Sequence, residues 1–317
     1  GGFKIAMNAL NVGRVKLGVA CLDAQRRIVT ESIKYANERV QFKVPISKFG
    51  AIREKIANMA TSCYIGESAC YRVAKDIEDR IEYFISKGMS DQEAELKGVE
   101  DFAVECSLIK VGASEDIQNC ADEGIQIFGG MGFSADTPME SAWRDARIGR
   151  IYEGTNEINR MLSVGMLLKK GMKGQIDLMA AVMQAASSIN NNEEEIKGDE
   201  LVEEQKLIYK FKQIFLVLLG NCVQKYGTKL ENHQQILLCL SDILIEIYFS
   251  ESGLLRTLKN INRTSSELQK TQIDITKLYI FEAQNTIHKK GIEIISKISA
   301  GQERKNLFAV LKKKCTY

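Results

Sequence analysis

Proline is almost absent from this sequence: the 317 residues contain two, Pro45 and Pro138, and none after Pro138. A proline inside a helix removes one hydrogen bond and clashes with the preceding turn, so its scarcity leaves long helices open almost everywhere. Histidine is equally scarce. His233 and His288 are the only two, and they are too isolated to suggest a metal site or the base of a nucleophile. Neither sign of charge dominates: 43 basic and 41 acidic residues leave a formal +2, which gives no reason to expect a chain-wide attraction to nucleic acid or anionic lipid. The longest strongly apolar run, residues 214–219, falls far short of the ~20 needed to span a bilayer, and no secretory leader is visible. CxxC pairs are missing as well. The eight cysteines, at 21, 63, 70, 106, 120, 222, 239 and 315, read as free thiols packed like small hydrophobes, in a reducing compartment.

What is present is helical periodicity. Val15, Val19, Leu22, Val29, Ile33 and Ala36 draw one apolar stripe, and a break follows at residues 42–47 around Pro45. Ile52, Ile56, Met59, Cys63, Gly66, Cys70, Val73 and Ile77 alternate steps of four and three, a seam suited to packing on other long helices, and Gly88 ends that stretch. Ser90 with Glu93 forms a capping box, from which a third helix is expected to run through Leu96, Val104 and Leu108 towards Cys120. The fold expected is all-α: a helical bundle over residues 1–172, then a second helical domain over 173–317. The polar tract 187–204 reads as a linker or exposed hinge; beyond it, 207–219, 236–249 and 273–298 read as helices.

The texture changes between Gly124 and Pro138, where glycines at 124, 129, 130 and 132 form a loop that lets backbone come close to a ligand. Further on, Ile151-Tyr152-Glu153-Gly154-Thr155-Asn156 places a carboxylate at the mouth of a helix that Thr155 is suited to cap. The positive end of the helix dipole keeps such a carboxylate ionised, whereas an apolar ligand would desolvate it and raise its basicity. That combination suits a general base that strengthens when substrate arrives, although a favourable first-turn charge would look the same. Arg144 and Asp145, just upstream, read as a structural ion pair.

Three groups of residues, in order and in spacing, resemble the C-terminal signature of the acyl-CoA dehydrogenase family. They are Gln126-Ile127-Phe128-Gly129-Gly130-Met131-Gly132-Phe133, then Arg144-Asp145, then Ile151 to Ile158. Upstream, Arg39-Val40-Gln41-Phe42 and Phe49-Gly50 are similar to the family's flavin-contacting stretch, so the resemblance covers about residues 1–170. It implies an FAD-dependent acyl-CoA dehydrogenase in which Glu153 takes the α-proton of the thioester. Gly154 would let the thioester approach the backbone, and Thr155, Asn156 and Glu157 would lie against the flavin. Arg39, Val40, Gln41, Phe49, Gly50, Gln126, Ile127, Phe128, Gly129 and Gly130 would contact the FAD of a neighbouring subunit. Arg14 matches a position near the catalytic carboxylate, on the substrate side. Gly13 matches the place where some members carry their base instead, which a glycine cannot do. Lys43 departs from the family, which usually has glycine there, and so leaves the course of the 42–47 loop open.

The resemblance further implies a homo-oligomer, with a dimer favoured because the extra C-terminal helices resemble the very-long-chain branch. It also implies an electron-transferring flavoprotein as acceptor, and the bacterial cytoplasm or the mitochondrial matrix as location. In that branch the extra domain can assist peripheral membrane contact, for which Lys289-Lys290 and Lys312-Lys313-Lys314 are candidates. No β-rich segment appears, so the family's middle domain is not supplied here. Two other readings stand beside the dehydrogenase: an acyl-CoA oxidase of the same superfamily, and a helical oligomerisation module without chemistry, motivated by the seam from Ile52 to Ile77.

Overall fold

The structure is a computed structural model that describes residues 2–188, 200–261 and 263–315. The chain forms two compact units, Gly1–Asn156 and Glu157–Tyr317. Most of the expected linker lies at 189–199, outside the described residues.

In the first unit, α1 (Gly2–Glu38) runs uninterrupted until a two-stranded hairpin, β1 (Val40–Gln41) paired antiparallel with β2 (Val44–Pro45). Then follow α2 (Gly50–Ser86), α3 (Asp91–Asp101), α4 (Ala103–Phe128) and α5 (Pro138–Ile148). Local chemistry sets the ends. Gly88 takes a left-handed φ of 86° at the end of α2, and Met89 N–H reaches back to Phe84 C=O at 3.1 Å, closing the last turn. Ser90 accepts from Glu93 N–H, the expected box, and Pro138 sits in the first turn of α5, where its missing N–H costs nothing. Helix α1 packs along α4 and α2, and the core between them includes Leu17, Ile28, Met59, Ile117, Phe128 and Met139.

The face that α1 buries differs from the expected stripe. Val19 is 49% and Ile33 40% exposed, while the buried side carries Asn11, Arg14, Gln25 and Ser32 among its apolar residues. By length and composition Ile5–Glu38 could cross a bilayer, yet those buried polar groups and its packing partners are those of a bundle helix. The expected third helix is two helices, broken at Phe102 (φ −108°, ψ 23°). No proline or glycine marks the break: α3 packs mainly on α2 and α4 mainly on α1, and the change of partner requires a change of direction. The Ile52–Ile77 seam holds, with Met59, Cys63, Gly66, Cys70 and Val73 buried.

The second unit contains α6 (Asn156–Met172, beyond its first residue), α7 (Leu178–Ser187), α8 (Val202–Tyr226), α9 (Gln234–Asn260), α10 (Ser266–Ile298) and α11 (Gly301–Lys314). Its core joins Phe211, Ile214, Leu218, Leu240, Ile243 and Ile287 with Val164 of α6. Arg160 on α6 and Lys290 on α10 both meet the Asp242 carboxylate, at 2.6 and 3.0 Å, and fix α6 to the rest of this unit. The helices expected within 207–219, 236–249 and 273–298 all form and are longer than the apolar runs that reveal them.

Candidate active site

The segment after α5 reverses direction in a few residues. Glu153 takes φ 58° and Gly154 φ 80°, consecutive left-handed residues before Asn156 opens α6. Glycine adopts this conformation freely; for glutamate it costs on the order of 1–2 kcal/mol. A strained residue persists only where its surroundings over-determine it.

Two sets of contacts do so. From α1, the buried Arg14 guanidinium donates to Glu153 C=O at 3.4 Å, to Asn11 Oδ1 at 2.9 Å and to Ser107 Oγ at 3.5 Å. Burial lowers the Arg14 pKa from its ordinary value, against the opposing pull of Cys106 and Glu153. Arg14, expected near the catalytic carboxylate, holds the Glu153 backbone through its guanidinium. From α4, Lys110, Ser114 and Glu115 bind the Asn156 side chain, which is 1% exposed. Asn156, expected against the flavin, turns its side-chain amide towards α4. Thr155 directly precedes α6 as expected, while Glu157, an exposed residue, begins the second unit.

The Glu153 carboxylate lies over Gly13 of α1. A Cβ at Gly13 would meet Glu153 Oε2 at 2.8 Å, Cδ at 2.9 Å and Oε1 at 3.0 Å. Glycine there clears the space that the carboxylate occupies. Alongside, Tyr152 borders a largely apolar cleft of about 410 Å³ whose walls include Leu17, Ala20, Cys21, Ala24 and Ile28 of α1 with Ile117, Met139, Ala142 and Ala146, together with the charged Arg27, Glu31 and Asp145.

A second cleft, about 430 Å³, gathers Arg39, Gln41, Ile127, Phe128, Gly129 and Gly130, six residues expected in one site, together with Tyr35, Ile46 and Met131. Tyr35 stacks on Phe128 (centroids 4.0 Å apart, planes at 13°) and its hydroxyl donates to Phe128 C=O at 3.2 Å, an anchor that sequence reasoning did not single out. Gly129 (φ 61°, ψ −140°) terminates α4 in a conformation open to glycine alone, and at Gly129 and Gly130 an added Cβ would meet nothing within 4 Å. Val40, Phe49, Gly50 and Gln126 do not line this cleft. Val40 and Gln126 are exposed, Gly50 opens α2 towards free space, and Phe49 packs on the core with its ring edge-on to Phe42. Lys43 does not prevent the hairpin: Phe42 (φ 51°) and Lys43 (φ 69°) form its two-residue loop, and Phe42 stands 87% exposed. Arg144 and Asp145, expected to pair, form no ion pair with each other among the described residues.

A carboxylate on a strained turn over a bare glycine, with a largely apolar cleft alongside, is suited to acid–base chemistry, and the glycine-rich cleft lies separately, at the other end of α1. Family descriptions reading "Acyl-CoA dehydrogenase, C-terminal domain" match the chain at residues 1–165 and again at 210–313, so the second unit, poor in motifs, also matches. A "Probable acyl-CoA dehydrogenase" of Bacillus subtilis (strain 168) is 37% identical over 313 residues, 98% of this chain and 53% of that protein. The mitochondrial very long-chain specific acyl-CoA dehydrogenase of Macaca fascicularis is 38% identical over 160 residues, 50% of this chain and 22% of that one. The crystal structure of an acyl-CoA dehydrogenase complexed with FAD from Bacillus anthracis matches at 38% identity with a TM-score of 0.95, over 99% of this chain and 54% of that chain. The chain belongs to the acyl-CoA dehydrogenase family. It spans about half the length of the two Bacillus relatives.

Proposed function

We propose that this chain supplies the catalytic base and part of the cofactor site of an FAD-dependent acyl-CoA dehydrogenase, with Glu153 as the base. The observation that carries the reading is the Glu153 carboxylate seated over Gly13 on a turn held by Arg14 and Asn156. A base must reach its proton without searching for it, and a carboxylate whose backbone is fixed on both sides is pre-positioned.

The residues fit the cofactor. Arg39 offers a charged fork to a pyrophosphate, and Gly129 and Gly130 leave bare backbone against which a Cβ would otherwise stand. Gln41 adds a neutral hydrogen-bonding group. Bound FAD supplies the acceptor for the hydride that leaves the substrate β-carbon. The chain's own part is the proton: Glu153 takes it from the α-carbon, and the Glu153 backbone N–H donates to the thioester oxygen as negative charge builds there. Gly154, with no side chain, leaves that backbone accessible. The acyl tail runs along the cleft beside Tyr152, where Leu17, Ala20, Ala24, Ile28 and Ile117 offer apolar surface and Arg27, Glu31 and Asp145 also line the wall. Arg14 and Asn156 hold the turn and do not touch substrate. In a homodimer the Arg39–Gly130 cleft would serve the FAD of the partner subunit, and an electron-transferring flavoprotein would reoxidise it.

Anaerobic addition of acyl-CoA to the FAD-loaded full-length protein tests the reading. Bleaching of the flavin spectrum across a series of acyl chain lengths supports it; flavin that stays oxidised with every member refutes it. Reoxidation by an electron-transferring flavoprotein and not by oxygen separates a dehydrogenase from an oxidase.

A further inference from the structure

Lys110 is a residue that the proposed chemistry leaves unused. It lies on α4 in the apolar run Leu108-Ile109-Lys110-Val111, and its side chain is fully buried. Burying an ammonium is costly, and an apolar side chain of similar length would pack there at least as favourably.

One of its hydrogen bonds points to a use. Lys110 Nζ donates to Asn156 Oδ1 at 2.7 Å. Ser114, one helical turn along the same face, also bonds Asn156, at 3.2 Å to Oδ1 and 3.0 Å from Nδ2, and Glu115 Oε1 accepts from Asn156 Nδ2 at 3.0 Å. The other end of the segment is tied to the same place: Asn156 N–H donates to Arg150 C=O at 3.1 Å, and the Arg150 guanidinium faces Glu115 at 3.9 Å. Residues 150 and 156 are thereby fixed to α4, and between them stand the left-handed Glu153 and Gly154. We propose that Lys110 is a positioning residue for Glu153, acting through the Asn156 amide to hold the strained turn in the geometry that proton abstraction requires. The inference rests on Glu153 being the base.

The test compares Lys110→Met with Glu153→Gln in the full-length, FAD-loaded protein, and follows amide hydrogen exchange at residues 152–156 in both. Lys110→Met is expected to fold, while kcat falls roughly 100-fold and KM for acyl-CoA stays within about threefold. Exchange at 152–156 is expected to rise about tenfold or more, with the rest of α4 unchanged. A folded Lys110→Met protein that keeps kcat within about twofold, or whose exchange at 152–156 matches wild type, overturns the proposal. Should Lys110→Met fail to fold, the double variant Lys110→Met with Asn156→Leu, which leaves no amide facing the missing ammonium, is read by the same criteria. Undiminished flavin reduction in Glu153→Gln would refute the base itself, and exchange would then judge the hold on the turn separately. Loss of reduction in Glu153→Gln with an unaltered Lys110→Met would refute the positioning role alone.

Discussion

At the scale of single residues, the site depends on which side chains are absent as much as on which are present. Gly13 is the clearest instance. In Gly13→Ala the new Cβ would press on the Glu153 carboxyl at 2.8–3.0 Å. That group is the far end of a flexible side chain and can swing aside, so stability should change by less than about 1 kcal/mol. The carboxylate would no longer lie where it does, and the rate should fall roughly 100-fold. Denaturant unfolding and steady-state kinetics on one preparation check both halves; an unaltered rate would mean that the seat over Gly13 is not the working one. The sequence made Glu153, Gly154 and Arg14 legible because their spacing belongs to a family signature. It did not reveal that Arg14 and Asn156 face inward, since a motif records identity and spacing but not direction. Lys110 was missed for a different reason: a lone lysine in an apolar run is normally a solvated residue, and only the geometry places the Asn156 amide opposite it.

At the scale of elements, helices were legible and faces less so. The long helices followed from the scarcity of proline, and the Ser90 box marked the start of α3 correctly. The α1 stripe was misplaced because apolar residues alone were counted, whereas the buried face also carries the polar side chains of Asn8, Asn11, Arg14, Gln25 and Ser32. The hairpin between α1 and α2 gives an element-level prediction. Lys43 sits at φ 69°, a conformation that costs a non-glycine residue about 1–2 kcal/mol, while glycine there gives back about 0.5–1 kcal/mol in unfolded-chain entropy. Lys43→Gly should therefore stabilise the first unit by roughly 0.5–1 kcal/mol, read as a higher urea midpoint at unchanged slope. A lower midpoint would show that the lysine side chain contributes more than its backbone conformation costs.

At the scale of the whole molecule, buried thiols link stability to pH. Burial pushes Cys21, Cys70, Cys222 and Cys315 up to about 12, and burial with Glu293 nearby pushes Cys239 up to about 11. A thiol free of the fold ionises near 9.0, so the folded state resists an ionisation that the unfolded state allows. The stabilisation is complete below pH 9.0 and is lost as pH rises from there through the folded values, by at most about 1.4 kcal/mol per pH unit for each thiol. Denaturant midpoints measured on either side of that threshold should fall steadily in alkali. A flat profile would contradict the burial of the thiols. The all-helical class and the presence of further helices after residue 200 were readable from periodicity; the division after Asn156 was not, because α6 continues the signature without any break in composition.

The central claim is that Glu153 takes the α-proton, and one measurement reaches it directly: the rate at which acyl-CoA bleaches bound FAD in the full-length protein, by anaerobic stopped flow, for wild type and Glu153→Gln. The amide keeps the size of the side chain and its place over Gly13 but cannot accept a proton. The account predicts flavin content equal to wild type and a bleaching rate lower by about 10²–10⁴-fold. A Glu153→Gln protein that bleaches at the wild-type rate would contradict it.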